Sequence, residues 1–294
     1  MKQNKGPLIL LTILTIFIFK NSQIIHDTIL FSCELFLTKL FPSLFPMMIL
    51  SELFIYFDLP DLLCKYFGSP FQKIFHTSPY GLFAFIIATF SGSPTNAYLI
   101  KNLHRKNFLT TTEASHVLSF SFFNNPLFLF TMLSLIFPNN PSTVIKLLVL
   151  PYLINLLIGF ITRPKTTTYI EKMPESKENF GTMLSNSIKN AMNTLLFILG
   201  TITIFLIVNQ CINPSHLPVI SGILEISQGL NSLIDISYSL KMKEILAILF
   251  ISFGGLSIHL QIKGIISSTD ISYFTFLKAR FLQSIISILL ILIW

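Results

Sequence analysis

Polar side chains set inside apolar runs are the residues of this sequence that could do chemistry. The first group is Ser91-Gly92-Ser93-Pro94-Thr95-Asn96. Pro94 removes an amide donor and pushes Ser93 out of helical dihedrals, so a helix breaking here turns backbone groups and a helix start toward a ligand, an arrangement suited to an anion. The same residues also fit a proline kink whose serines satisfy the freed carbonyls. The second group lies in Ser119–Pro126, where Asn124 and Asn125 are adjacent in an apolar stretch. Two such amides are costly unless paired, and they either line a cavity or bond to a neighbouring helix. The third group is Gly254-Gly255-Leu256-Ser257-Ile258-His259-Leu260-Gln261. Its glycines permit a break or a close approach, and the alternation of Ser257, His259 and Gln261 with apolar residues predicts an extended segment with one polar edge. His259 is either a proton carrier or a fixed hydrogen-bond partner. Two isolated acids, Glu225 and Glu52, complete the set, because a carboxylate at membrane depth is a functional candidate by default.

Composition decides what must position these residues. The chain has 294 residues, 52% hydrophobic and 11% charged, with 30 Phe and 12 Gly. Its mean hydropathy is +0.71. A soluble domain carries roughly 25% charged residues, so a cytosolic enzyme is excluded and an all-α, polytopic transmembrane bundle is expected. The net charge of +7 comes from basic residues scattered between apolar runs, which fits a positive-inside bias and not nucleic acid. Cys33, Cys64 and Cys211 are far apart and form no metal or redox motif. No G-x-S-x-G, H-E-x-x-H or phosphate-loop signature occurs, so neither catalytic residues, metal ligands nor a cofactor are expected.

Charge-free stretches predict spans at Leu40–Phe57 (through Glu52), Ile74–Ile100, Ala114–Ile145, Leu147–Thr162, Asn190–Leu224 with a break at Asn213-Pro214, Ile245–Ile262 and Phe281–Trp294. With the N-terminal run Pro7–Phe19, read as a retained first span, this makes about seven or eight crossings. Positive-inside places Lys101/His104/Arg105/Lys106, Arg163/Lys165 and Lys241/Lys243 together in the cytoplasm with the N-terminus. Two plain spans before Lys101 contradict that placement. A further segment must cross or dip and return, with Asn21–Lys39 and Leu62–Phe75 as candidates.

The organisation expected is an N-terminal anchor (1–27), a first repeat (28–162), a polar cytoplasmic linker (163–189) and a second repeat (190–294). Ile29–Phe57 and Leu184–Ile212 both pass from polar to apolar. Phe90-Ser91-Gly92 aligns with Phe253-Gly254-Gly255, Asn96 with His259, and Thr112-Glu113 with Thr269-Asp270. Paired, glycine-interrupted segments are the pointer to transporters built from repeats with broken or re-entrant helices.

The motifs FPSLFPMMILSELF (41–54), FSGSPTNAYLIKNL (90–103), EASHVLSFSFFNNPLFLF (113–130), GILEISQGL (222–230), FGGLSIHLQI (253–262) and FLKARFLQ (276–283) occur in an order that resembles the sporulation integral membrane proteins of the YlbJ/SpoVV type, within the nucleoside-recognition or Gate group. The resemblance implies two Gate-type repeats in a multi-pass protein of the cell membrane, and transport of a small polar or anionic solute, dipicolinate, during sporulation. It carries Gly92, Pro94, Asn124, Pro126, Glu225, Gly254, Gly255, Ser257, His259 and Gln261 over as motif positions; Ser91, Asn96 and Asn125 join them from the residues alone. Ser93 and Tyr98 depart from it, where an aromatic and a lysine are expected. The expected partners are the solute, the lipid bilayer, and a second copy or another membrane protein. The alternative function is a non-transporting scaffold docked through 163–189.

Overall fold

A computed structural model describes residues 5–165, 179–213 and 217–293. Most of the linker (166–178), Lys2 and Pro214 lie outside the described residues. Every regular element described is helical. The reason is general: lipid offers backbone groups no partner, so each segment must close its own hydrogen bonds.

After α1 (Lys5–Lys20), the chain crosses once through α2 (Ser22–Leu35), a π-helical turn and α3 (Phe41–Tyr56). This continuous helix makes Ser22–Tyr56 one apolar span of 35 residues. Asn21–Lys39 is therefore its first half and not an additional crossing. α4 (Leu59–Leu63) and α5 (Ser69–Phe75) follow, joined by a second π-helical turn. α5 ends beside the polar linker, where Arg163 donates to the Ile74 carbonyl at 3.1 Å. That side of the bundle is called the linker end below.

The next segment corrects the sequence reading. Ile74–Ile100 is not a span. α6 (Pro79–Ser91) enters from the linker end, bent by 95° from the helix before it. The chain turns at Gly92–Pro94, and α7 (Thr95–Arg105) returns to the linker end. The arms close at their open ends, where the rings of Tyr80 and Phe108 lie 4.4 Å apart. Arg105 donates to Ser268 and Lys106 pairs with Glu52 at 3.4 Å. The re-entrant hairpin removes the conflict over Lys101 and places Glu52 at the membrane edge.

α8 (Thr111–Phe120) starts at the linker end with a capping box between Thr110 and Glu113. It stops at an irregular stretch, 121–125, and α9 (Pro126–Ile136) carries the chain on to the opposite end. α10 (Pro141–Ile161) returns to the linker end.

After the linker, α11 (Phe180–Ile212) crosses antiparallel to α2–α3; Phe180 touches Tyr56, and Thr203 bonds Ser32. α12 (Pro218–Leu224) and α13 (Ile226–Ser232) form a second hairpin, entering from the opposite end and turning at Glu225. A Cβ on Gly229 would sit 2.2 Å from the Gly222 Cα, so the missing side chains let these short arms touch. α14 (Leu240–Phe253), broken at Gly254, continues as α15 (Gly255–Ile266) to the linker end, and α16 (Tyr273–Ile293) crosses back.

Among the described residues, five helices are long and apolar enough to span, and α8 followed by α9 carries the chain from one end of the bundle to the other in two pieces, a sixth crossing by topology. The excess over this in the sequence reading is Ile74–Ile100, whose hairpin arms match a span in composition, and the N-terminal run Pro7–Phe19, which lies in α1. The order of span, hairpin, broken span and span occurs in 22–161 and again in 180–293, with opposite direction through the membrane. In this order Gly92 matches Glu225 and the 121–125 break matches Gly254-Gly255. The sequence alignment of Gly92 with Gly255 and Asn96 with His259 had joined a hairpin to a broken span. Thr112-Glu113 and Thr269-Asp270 differ as well: Glu113 is a buried cap, and Asp270 is exposed.

The charge pattern needs a further correction. Lys241 and Lys243 open α14 at the end opposite the linker. Glu244 there lies 3.0 Å from Lys146 and 4.0 Å from Lys241, so the group is partly neutralised. It therefore exerts less of the positive-inside bias than a lysine count implies.

Candidate functional site

The two hairpin tips meet the two breaks at mid-depth. Gly92 has φ +77° and ψ −176°, a conformation essentially reserved for glycine. A Cβ there would lie 2.6 Å from the Asn125 nitrogen and 2.9 Å from the Asn124 carbonyl carbon. The Ser93 amide donates to the Phe123 carbonyl at 2.6 Å, and Asn96 Nδ2 to the Ser121 carbonyl at 3.0 Å. The first tip is thus stitched to the first break. At the second, a Cβ on Gly255 (φ +73°) would lie 3.2 Å from the Ile226 nitrogen and 3.3 Å from the Glu225 Cα. Asn124 joins the two pairs, donating from Nδ2 to the Ile251 carbonyl of α14 at 2.9 Å.

Between them lies a cavity of ≈ 40 Å³. Ser93, Pro94, Asn124, Asn125, Glu225 and Gln261 are among its lining residues, with Leu44 and Ile202 on its apolar wall. Its polar lining comes from Ser93 and Pro94 before α7, Asn124 and Asn125 before α9, Glu225 and Ser227 at the start of α13, and Gln261 in the middle of α15. The exposed amides at helix starts carry partial positive charge. Two starts are capped by their own side chains: Asn125 Oδ1 accepts from the Phe128 amide at 3.0 Å, and Glu225 Oε2 from the Gln228 amide at 2.9 Å. Glu225 Oε1 also accepts from Ser227 Oγ at 3.1 Å. Asn125 Nδ2 donates to Ser43.

The carbonyl ends of the broken helices are covered from behind. His259 approaches the Phe253 carbonyl with Nε2 at 3.0 Å and the Tyr273 hydroxyl with Nδ1 at 2.9 Å. A carbonyl only accepts, so Nε2 carries the hydrogen and Nδ1 takes the tyrosine proton. Both nitrogens are used and the ring lies outside the cavity lining. Neither His259 nor Asn96, aligned with each other in the sequence, is among the residues that line the cavity.

The candidates therefore separate. Pro94, Asn124, Asn125, Glu225 and Gln261 come together around one space. Gly92, Gly254 and Gly255 shape the breaks. Ser91 bonds back to the Ile87 carbonyl at 2.9 Å, and Asn96, Ser257 and His259 support the wall. The expected extended run 255–261 is helical instead, because an extended strand here would leave its backbone unpaired. In a helix only Ser257 and Gln261, four apart, share a face, and they bond at 3.1 Å.

Arg280 went unread in the sequence. It is fully buried in α16 and donates to the Ser119 carbonyl at 2.6 Å, to Asn155 Oδ1 at 3.1 Å and to Gln283 Oε1. Its guanidinium also stacks over Phe122 at 4.5 Å. Asn155 donates in turn to the Phe122 carbonyl. The charge holds the C-terminal end of α8, where the helix dipole is negative. A search for charge-free spans hid it by starting the last span at Phe281; an arginine within an apolar helix was itself the available signal.

The chain is 28% identical, over 86% of its length and 74% of the relative's, to the sporulation integral membrane protein YlbJ of Bacillus subtilis (strain 168). That similarity supports a YlbJ-type assignment. No family model and no solved structure matches it. Its several apolar helices and its similarity to an integral membrane protein make it a multi-pass membrane protein, which explains the exposure of Leu153, Leu157, Ile285 and Leu289 on α10 and α16. Such a surface would aggregate in water and is suited to lipid.

His259 gives the first testable consequence. His259→Leu strands the Phe253 carbonyl and the Tyr273 hydroxyl, at roughly 1–3 kcal/mol per unpaired group. His259→Gln keeps a donor and should lose less. Thermal unfolding in detergent should rank wild type above Gln above Leu, and solute flux per folded molecule should be equal in all three. A selective loss of flux in His259→Gln would return the residue to the site.

Proposed function

We propose that this YlbJ-type protein is a carrier, not an enzyme, that moves a small polar or anionic solute across the cell membrane through the mid-depth cavity. One observation carries the proposal: two hairpins entering from opposite sides bring their tips, and two helix breaks, to a single space that Asn124, Asn125, Glu225 and Gln261 help to line. Transporters with inverted repeats bind their cargo at such a place and open it to one side at a time. The helix starts facing the space favour an acceptor or anion, and Glu225 and the amides supply specificity. At ≈ 40 Å³ the cavity has room for a water or a few. A small-molecule site takes roughly 300 Å³ or more. The conformation described is therefore closed around the site, and cargo enters when a hairpin withdraws. The linker end, richer in unpaired basic groups, faces the cytoplasm in this reading, and a cytoplasmic N-terminus then requires α1 to cross.

Dipicolinate, the solute implied by the resemblance, is the first probe. Purified protein in liposomes should give saturable dipicolinate uptake, and Glu225→Gln together with Gln261→Leu should change its KM or abolish it without loss of folded protein. Uptake no greater than in protein-free liposomes, for dipicolinate and for small carboxylates of similar size, would reject transport and leave a scaffold role.

A further inference from the structure

A second, larger space opens at the end opposite the linker. It has a volume of ≈ 340 Å³ and lies between α2, α11 and α13. Asp27, Asn209, Gln210, Gln228 and Asn231 supply its polar surface. Asp27 is the charged residue among those lining it, and no basic side chain does so. Asn209 is buried; its Oδ1 accepts from Asn213 Nδ2 at 3.2 Å and from Ser221 Oγ at 3.3 Å, and its Nδ2 has no partner.

The first turn of α13 divides this pocket from the central cavity. Glu225 and Ser227 line the cavity, and Gln228 lines the pocket while its own amide holds the Glu225 carboxylate at 2.9 Å. Only the thin second hairpin separates them, and that hairpin is joined to α11 through Asn213 and Ser221 at 3.0 Å.

We propose that this pocket is the mouth of the solute path at the end opposite the linker, and that it admits uncharged and cationic polar solutes in preference to free anions. The path rests on the transport reading; the selectivity rests on the pocket alone. A cleft lined by one sign of charge between low-dielectric walls raises the local concentration of opposite charge by about tenfold or more, and lowers that of like charge. His26, beside Asp27 at 3.3 Å, is the titratable neighbour on the same helix, and Gln23 donates to the same carboxylate oxygen at 3.1 Å. The amides of Asn209, Gln210, Gln228 and Asn231 then offer donors and acceptors to hydroxyl, carbonyl or amide groups. An acid passing here would carry its charge neutralised, by a proton or a bound cation.

The test uses the full-length protein in detergent with Cys33, Cys64 and Cys211 replaced by Ala. Asn231→Cys and Gln210→Cys are made singly and reacted with two methanethiosulfonates of similar size, one bearing trimethylammonium and the other sulfonate. Each rate is divided by that of the same reagent with a free thiol in solution. The cationic reagent should be favoured about tenfold at both positions, and Asp27→Asn should bring the ratio close to one. Failure of both cysteines to react, a ratio at or below one, or a ratio unmoved by Asp27→Asn would overturn the proposal. Two positions keep the test decisive if one variant does not give a monodisperse gel-filtration peak. Selective labelling without dipicolinate uptake rejects that cargo and keeps the pocket; uptake with unselective labelling does the reverse.

Discussion

Arg280→Met should destabilise this protein more than any other single change on α16. The substitution keeps length and apolar bulk, so it leaves little cavity. It strands the Ser119 carbonyl, Asn155 Oδ1 and Gln283 Oε1, which accept from the guanidinium. At about 1–3 kcal/mol for each stranded acceptor, the loss should exceed roughly 3 kcal/mol. Arg280→Lys keeps the charge and loses the planar fork, so it should fall between. Lys278 is exposed on the same helix, with Nζ 4.5 Å from the centre of the Phe274 ring, and Lys278→Met should stay within about 0.5 kcal/mol of wild type. Unfolding midpoints in one detergent measure all three. Equal midpoints for Arg280→Met and Lys278→Met would show that α8 holds its broken end without the charge.

The second large effect belongs to the hairpin tip. Gly92→Ala must place a methyl 2.6 Å from the Asn125 nitrogen, in a backbone conformation that costs an alanine about 1–3 kcal/mol before any clash. Both near atoms are backbone, so no rotamer change relieves the contact. The tip must lift from the break, and uptake should fall by more than about tenfold even in protein that remains folded. Gly255→Ala has the same sign of φ, and its nearest contact is looser at 3.2 Å; its loss should be smaller. Gly200→Ala in α11 is the control. Nothing lies within 4 Å of its added Cβ, and replacing a mid-helix glycine should stabilise by about 0.5–1 kcal/mol. Uptake by Gly92→Ala equal to that of Gly200→Ala would separate the tip from the transport path.

Much of this architecture was legible residue by residue. Low charge and high hydropathy specify a helical membrane protein, because composition reports the solvent directly. Pro94 and Gly254-Gly255 mark two of the interruptions in the sequence, because proline and glycine act within one turn of their own position, whereas Asn124-Asn125 and Glu225 stood out only as polar groups in apolar runs, and the capping role of Asn125 and Glu225 came from the structure. Pro94, Asn124, Asn125, Glu225 and Gln261, which line the cavity, stand out in the sequence as polar or helix-breaking residues in apolar runs.

What the chain does after each interruption was not legible. Gly92 ends a helix whose successor goes back, and Gly254 ends one whose successor goes on. The local chemistry is alike. The difference lies in partners far away in sequence: Tyr80 against Phe108, Gly222 against Gly229, and Asn124 on the Ile251 carbonyl. Those contacts also set the register of the two halves, the end on which Lys241 emerges and the side to which His259 turns. Sequence alone determined the membrane class and the stops at Gly92–Pro94 and Gly254-Gly255, since these follow from short-range chemistry and solvent. Tertiary structure decided which breaks are hairpins and which polar groups face one cavity, since a buried carbonyl or amide takes whatever partner the packed helices bring within 3 Å.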